Sequence, residues 1–268
     1  MRILAIALLL LTAAGPLTPA PGPVRIVGEG GMGCIQGAVR LPDEAPGVQT
    51  IRLGTSSFWG HPEVIATLLT LGARTKALGF PDLYMGDLSG PRGGPLAGGH
   101  VSHQMGIDAD VYLDLNPHPA LSRAQRETLE PPGLVRPDGR DVDLARWRPE
   151  HMTLLRTAVA LPGVDRVLVN PAIKKHLCRI VEGDRAWLRF IRPIWGHASH
   201  MHINFNCPAG QPQCPPRPPT PPPGDGCDTT LQWWFDQLDH PAKPSVPSVP
   251  ARPRVLPAAC RAIMSAPG

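Results

Sequence analysis

Histidines are concentrated in a short stretch of the chain, GHASHMHINFNC, which runs from residue 196 to residue 207. From His200 onward, histidine and asparagine alternate with apolar residues, which is the period-two pattern of a half-buried strand. His200 and His202 are therefore predicted to leave the same face, roughly 6.5 to 7 Å apart along the strand. Two imidazoles at that spacing can serve one site, in which one binds a metal and the other reaches the water beside it. His197 is predicted to lie in the loop just before the strand.

A second cluster of candidate ligands lies about a hundred residues earlier, in the stretch GGHVSHQMGIDADVYLDL at residues 98–115. It contains His100 and His103, followed by Asp108 and Asp110 on the polar face of another alternating strand. One histidine and one aspartate from this cluster, with one histidine from the first, would form a His/His/Asp set, which suits zinc with an open position for water. Either cluster alone is more often a polar strand face, but the presence of both favours a metal site.

The first 20 residues are typical of a secretory signal peptide, with one basic residue, an apolar run from Ile3 to Ala14 and then small residues. Cleavage near Ala14 and cleavage near Ala20 are both compatible with the sequence. The apolar run is short for a membrane span, and no later segment is long and apolar enough to form one. We therefore expect residues 1–20 to be an export signal and the mature protein to have no stable membrane anchor.

Composition divides the rest of the chain into a mixed body and a proline-rich end. The formal net charge is +4 and no basic run is present, which indicates that nucleic acid is not a partner. Many of the 35 prolines follow residue 206, where they exclude helices and central strands and favour polyproline-like loops. We predict a domain carrying the zinc site over residues 21–206 and a disulfide-pinned, proline-rich tail over residues 207–268.

Short strand and helix patterns alternate through the body of the chain. Residues 47–54, 81–88 and 165–170 are candidate strands. Helices are predicted to start at Pro62, at Pro149 and after Asn170, because proline fits the first helical turn and asparagine caps it. The predicted fold class is therefore α+β, with helices flanking a small antiparallel sheet that carries the zinc site.

Six cysteines in an exported chain indicate disulfides rather than a cysteine zinc site, since none lies in a C-x-x-C pair. They are Cys34, Cys178, Cys207, Cys214, Cys227 and Cys260. Their even number predicts three disulfides, whose connectivity the cysteine count leaves open. Cys207 and Cys214 are separated by a short Pro/Gly turn, so a local disulfide between them is geometrically easy.

The two ligand clusters match motifs of a known group of zinc peptidases. HQMGIDAD is an H-x-x-G-x-x-x-D motif from His103 to Asp110, and HMH is an H-x-H motif formed by His200 and His202. These motifs resemble those of the group that includes lysostaphin-type enzymes, D-alanyl-D-alanine peptidases and the hedgehog signalling domain. Further blocks resemble the penicillin-insensitive murein endopeptidases over nearly all of the chain from about residue 33 to residue 260, namely GCIQGAVRLP, GHPEVIATLLTLG, VNPAIKKHLC, DRAWLRFIRP, HMHINFNCPAG and GDGC.

The resemblance implies a periplasmic zinc metalloendopeptidase that cuts peptide crosslinks in peptidoglycan, chiefly the D-alanyl–meso-diaminopimelyl bond. It implies that one zinc ion is held by His103, Asp110 and His202. By the same match, His200 is the candidate general base and stabiliser of the transition state, and His197 is a neighbour at the catalytic site.

Further candidate ligands also come from the resemblance. His100 is implied to adjoin the site and is a secondary candidate ligand. Family members carry a D-G-x-H segment linked to further metal binding. Here Asp138 matches its aspartate and Asp141 stands where the histidine would be. Both are secondary candidates for holding a second zinc ion, with a solvated turn as the alternative. Asn204 stands where arginine is expected after H-x-H, which would alter substrate contacts without touching the metal.

Disulfide pairs and function complete what the resemblance implies. Cys178 is expected to pair with Cys227, and Cys34 with Cys260, which would tie the tail to the start of the mature chain. Two other functions remain open, a non-enzymatic zinc-containing domain that recognises the cell wall and a disulfide-stabilised wall-binding protein without chemistry. The presence of His200 favours the enzyme. The lack of an S-x-x-K motif would explain insensitivity to penicillin, which acylates a serine.

Overall fold

A computed structural model of the chain describes residues 17–29, 32–96, 102–216, 218–240 and 255–267. Its strands are β1 (Arg25–Glu29), β2 (Met32–Gln36), β3 (Val39–Arg40), β4 (Glu44–Ala45), β5 (Val48–Thr50), β6 (Trp59–Gly60), β7 (Leu83–Gly86), β8 (Asp108–Tyr112), β9 (Val164–Val169), β10 (Ile191–Pro193) and β11 (His200–Phe205). Its helices are α1 (Pro62–Ala77), α2 (Arg123–Glu127), α3 (Pro149–Val159), α4 (Pro171–Ile180), α5 (Thr229–Asp239) and α6 (Ala258–Ser265). Within these described ranges, no helix is both long and apolar enough to cross a membrane.

Seven strands form one sheet in the order β10-β9-β11-β8-β7-β5-β4. β11 lies between β9 and β8 and is antiparallel to both, so the two strands predicted to carry ligands are central neighbours. The pairs β5–β7 and β9–β10, which flank this antiparallel centre, are parallel, and α1 and α4 provide the crossovers that parallel pairs require. The predicted α+β class is confirmed, and the antiparallel part of the sheet is the part that carries the candidate ligands.

The helices that flank the sheet begin where the sequence predicts. Pro62 is the first residue of α1, and Nδ1 of His61 accepts a hydrogen bond from the backbone N–H of Glu63 at 3.2 Å. The side chain of Asn170 caps α4 by accepting from the backbone N–H of Ala172 at 2.9 Å. Both caps satisfy donors that would otherwise lack partners at a helix start. The main core lies between these helices and the sheet.

The proline-rich tail is tied to the rest of the chain through disulfides. The structure contains the three pairs that the spacing and the resemblance predict, Cys34–Cys260, Cys178–Cys227 and Cys207–Cys214. Two helices of this segment were not predicted: α5, which lies between two proline runs, and α6, which follows the second run. α6 packs with β1 and β2 in a small core of its own around the Cys34–Cys260 disulfide. The predicted signal peptide falls mostly on residues 1–16, which lie outside the described residues.

Candidate metal centre

The register between β8 and β11 places the polar residues of the two motifs opposite each other. Asp110 pairs with His202, and Asp108 pairs with Asn204, across the two antiparallel strands. Directly opposite residues share one face of a sheet, and so do residues two apart on one strand. His200, two residues before His202, therefore lies on the same face. The pleated backbone thus collects candidate ligands from segments that are far apart in sequence.

His103 reaches this face from the loop that leads into β8. The backbone of His103 is left-handed, with φ 63°, and Gly106 has φ 67°. A Cβ at Gly106 would lie 2.9 Å from Cα of Gly60 and 3.1 Å from the backbone nitrogen of His61. Glycine is required here because any other side chain would be strained and would collide with the backbone of the neighbouring segment. The glycine of the H-x-x-G motif therefore allows the loop to turn closely beneath the site.

Three side chains meet in a geometry that could hold one metal ion. His103, Asp110 and His202 are all buried, and each offers one ligand atom within 4.8 Å of the others. Nδ1 of His202 lies 2.9 Å from Oδ1 of Asp110, and Nε2 of His103 lies 3.5 Å from Oδ2 of the same carboxylate. Two imidazole nitrogens and one carboxylate oxygen are a donor set that suits zinc, and three protein ligands leave a coordination position for substrate chemistry. The residues present therefore fit a zinc ion.

The electrostatics of this cluster favour a cation. Burial alone would raise the pKa of Asp110, but hydrogen bonds from His103 and His202 hold that pKa far below its ordinary value. Burial alone would lower the pKa of His202, but hydrogen bonds to Asp108 and Asp110 outweigh burial and raise it to about 9. The two buried carboxylates thus stabilise positive charge at His202. A metal ion would compete with a proton for the ligating nitrogen, because an imidazole ligates in its deprotonated form.

Asp108 and Asn204 support His202 from the side that faces away from Asp110. The amide nitrogen of Asn204 donates a hydrogen bond to Oδ1 of Asp108 at 2.8 Å and lies 2.7 Å from Nε2 of His202. Oδ1 of Asp108 is 3.8 Å from the same ring nitrogen. A ligating histidine is usually oriented by a carboxylate or carbonyl at its other nitrogen. The sequence analysis gave neither residue this role, and only the pairing of the strands reveals it.

His200 and His197 lie beside the triad but are more accessible. Nε2 of His200 is 3.5 Å from Oδ2 of Asp110, and its side chain is 22% exposed. Burial lowers the pKa of His200 to about 4, against the opposing effect of Asp110, so its imidazole is neutral at neutral pH and can accept a proton. The His197 ring centroid lies 4.8 Å from that of His200 and 5.8 Å from that of His202. Both residues are thus placed where they could contact a substrate bound at the triad.

Asp138 and Asp141, the other candidate ligands that the structure describes, do not belong to this triad. Both carboxylate oxygens of Asp141 accept hydrogen bonds from Arg179, at 2.5 and 2.8 Å. Asp138 accepts hydrogen bonds from the side chain of Arg136 and from the backbone N–H of Arg140. These contacts form a turn stabilised by arginines, and a role of either residue in holding a second zinc ion stays a prediction. The remaining candidate, at position 100, lies outside the described residues.

Comparison with known proteins gives a consistent result over almost the whole chain. A family model described as penicillin-insensitive murein endopeptidase matches residues 26–265. A protein of that name from Klebsiella pneumoniae subsp. pneumoniae is 39% identical, with 98% of each chain covered. Another from Escherichia coli O157:H7 is 38% identical, covering 92% of this chain and 88% of that protein. The matched region includes both strands of the metal centre.

Proposed function

The chain belongs to the penicillin-insensitive murein endopeptidase family, and on that premise we propose that it is a zinc-dependent enzyme that hydrolyses D-alanyl–meso-diaminopimelyl crosslinks. Family membership identifies it as a peptidase that acts on peptidoglycan. The observation that carries the metal dependence is the buried cluster of His103, Asp110 and His202. The crosslink preference rests on the family resemblance alone.

The donor set supports a mechanism in which water attacks the peptide bond directly. Zinc held by His103, Asp110 and His202 would act as a Lewis acid, which lowers the pKa of water to about 7 and polarises a carbonyl. The chain's own contribution begins with Asp108 and Asn204, which hold the ring of His202 in one orientation. A fixed ligand ring keeps the reacting groups aligned and avoids reorganisation during the reaction.

His200 is proposed to move the proton. Its Nε2 atom lies on the triad side of the ring, 3.5 Å from Oδ2 of Asp110, and its neutral imidazole can take a proton from the attacking water. The same atom can then donate to the leaving amine, because the imidazolium formed is stabilised by the ionised carboxylate of Asp110. His197 is proposed as a second polar contact for the substrate near the same position.

The N-terminal segment and the tail are assigned within the same proposal. Residues 1–20 are proposed to contain an export signal, which would place the enzyme in the periplasm beside its polymer substrate. Residues 21–206 would form the peptidase domain, and residues 207–268 would be a tail secured by disulfides. The three disulfides support an oxidising compartment, since such crosslinks persist outside the cytosol.

The proposal is tested by digesting purified crosslinked muropeptides and identifying the products by mass spectrometry. The zinc-loaded protein should release D-alanyl and meso-diaminopimelyl ends, and a chelator should abolish release until zinc is restored. His202→Ala should lose zinc and activity together, whereas His118→Ala, a histidine outside the triad, should keep both. Cleavage that resists chelation would reject zinc dependence. Binding of muropeptides without cleavage would favour the recognition domain instead of the enzyme.

A further inference from the structure

An aromatic surface begins in the loop that carries His197 and takes no part in the mechanism proposed above. It consists of Trp195, Trp233 and Trp234. The ring centroids of Trp195 and Trp234 are 5.5 Å apart, and those of Trp233 and Trp234 are 5.1 Å apart, both pairs being edge to face. Trp233 is 53% exposed and Trp195 is 36% exposed. Large apolar side chains that remain exposed together usually mark an interaction site.

The surface is connected to the metal centre through a short and well-fixed loop. Nδ1 of His197 lies 3.0 Å from the backbone oxygen of Trp195, and the His197 ring contacts the ring of His202. The loop is fixed from α4, because the amide nitrogen of Asn170 donates to the carbonyl of Gly196 at 2.8 Å. Trp195 therefore belongs to the same fixed loop as His197, whose ring lies beside the triad.

The other two tryptophans are delivered by the tail. α5 follows the Cys178–Cys227 disulfide directly, and it buries Leu231 and Phe235 against the body of the protein. Nζ of Lys175 on α4 lies 4.7 Å from the centroid of the Phe235 ring. Because one side of α5 is fixed in this way, the tryptophans on its other sides remain at the surface beside Trp195.

The chemistry of the surface suits a sugar better than a stem peptide. An indole ring offers an apolar face for the C–H groups of a pyranose ring and an N–H donor for its hydroxyl or acetamido oxygens. Asp239 at the end of α5 is paired with Arg140. Asp228, just before α5, and Asp236 accept hydrogen bonds only from the neutral donors of Thr230 and Gln232 among the described residues, so their charges would repel the carboxylates of stem peptides. The N-acetylated sugars of the glycan strand carry no charge, and every crosslink in intact peptidoglycan is attached to such a strand.

We propose that Trp195, Trp233 and Trp234 form a platform that binds an N-acetylated sugar of the glycan strand next to the crosslink being cut. The platform would make the enzyme select crosslinks that are still attached to glycan over free crosslinked peptides. This inference rests on the proposed function for its biological role, but sugar binding itself can be measured without catalysis.

The test compares two substrates and one ligand, using the zinc-loaded, full-length protein. The substrates are intact sacculi and sugar-free crosslinked peptides, and the ligand is chitin, an insoluble and uncharged polymer of N-acetylglucosamine. Trp233→Ala should lower the preference for sacculi, taken as the ratio of kcat/KM values, roughly 3- to 10-fold, the scale of one lost aromatic contact. It should weaken cosedimentation with chitin by a similar factor. Trp233→Phe should retain most of the preference for sacculi and most of the cosedimentation.

A matched control comes from an exposed apolar residue elsewhere, Leu78, which is 58% exposed. Leu78→Ala should change neither the preference nor the cosedimentation. An unchanged preference for sacculi in Trp233→Ala would overturn the proposal. Equal losses of kcat/KM on both substrates would also overturn it, because they would indicate a contact with the peptide. Light scattering tests whether a second copy of the chain covers this surface. A wild-type dimer that becomes a monomer in Trp233→Ala would overturn the proposal of a sugar platform. If the wild-type protein cuts neither substrate, the proposed function fails, and cosedimentation with chitin still decides the inference.

Discussion

Removal of the Cys34–Cys260 disulfide should destabilise the protein far more than removal of Cys207–Cys214. The first disulfide joins residues that are 226 apart in sequence and the second joins residues that are 7 apart. The entropy that a crosslink removes from the unfolded chain grows with the logarithm of loop length, which gives about 5 kcal/mol for the long loop and about 2 kcal/mol for the short one. The Cys178–Cys227 disulfide shortens the long loop by 49 residues. This lowers the stabilisation expected from Cys34–Cys260 by only about 0.2 kcal/mol.

The native contacts around Cys260 indicate that α6 stays in place when the disulfide is removed. Cys260 and Ile263 are both buried in the small core beside β1 and β2. The guanidinium of Arg92 donates hydrogen bonds to the carbonyls of Met264 at 2.9 Å and Ala266 at 2.6 Å. A cation at the C-terminus of a helix also interacts favourably with the helix dipole. The loss of stability should therefore arise in the unfolded chain.

The assay is urea unfolding, without reductant, of Cys34→Ala/Cys260→Ala and Cys207→Ala/Cys214→Ala against the unmodified protein. The first variant should lose about 3 to 5 kcal/mol and the second about 2 kcal/mol. For a chain of this size, each kcal/mol corresponds to roughly 2 to 4 °C in Tm. Equal losses in the two variants, at unchanged m-value, would refute the loop-length argument. Zinc content should be the same in both, because no cysteine belongs to the metal centre.

The remaining predictions concern the site, a buried lysine and the N-terminus. His200→Ala should keep stoichiometric zinc, measured by elemental mass spectrometry, and lose roughly 10²-fold or more in turnover; loss of the zinc would instead make His200 a ligand. Asp108→Asn should weaken metal binding about 10- to 100-fold in a chelator competition, and unchanged affinity would contradict its orienting role. Burial lowers the pKa of Lys174 from 10.5 to about 7, so between these values the unfolded chain binds more protons than the folded one and the free energy of unfolding should rise with pH. Urea titrations of Lys174→Met should show a flatter pH dependence, and an identical slope would refute this. The intact mass of the exported protein should show that the mature chain starts at Gly15, because Ala20 is buried and its carbonyl accepts a hydrogen bond from the backbone N–H of Gly37. A mature chain that starts after Ala20 would show that these contacts are absent from the mature protein.

Strand periodicity explains how much of the metal centre could be predicted. Alternation alone places His200 and His202 on one face and Asp108 and Asp110 on one face, and both placements are found in the structure. Alternation does not say which strands are neighbours, and a shift of one residue in pairing would turn one set of side chains to the opposite face. The choice of Asp110 over Asp108 as a ligand came from the H-x-x-G-x-x-x-D motif. The motif specifies which aspartate faces His202, and alternation of polar and apolar residues does not.

Residues whose roles depend on pairing could not be predicted in this way. Asn204 was described only as a departure from the family pattern, because its significance lies in its contacts with Asp108 and His202 across two strands. Asp141 shows the converse limit. It occupies a motif position, but Arg179 from α4 donates two hydrogen bonds to its carboxylate and neutralises its charge. A motif records the type of residue at a position, whereas a role as ligand also requires that no other partner has engaged the side chain.

The tail shows most clearly why composition is an incomplete guide to function. Its prolines exclude helix only where they stand, and α5 occupies the interval between two proline runs. The disulfide to Cys178 fixes the start of this helix on α4, and the burial of Phe235 fixes its rotation. Those two constraints bring Trp234 to Trp195, although 39 positions separate them in sequence. A proline-rich segment can therefore place aromatic residues at a defined position, because the disulfide determines where the helix between its proline runs lies.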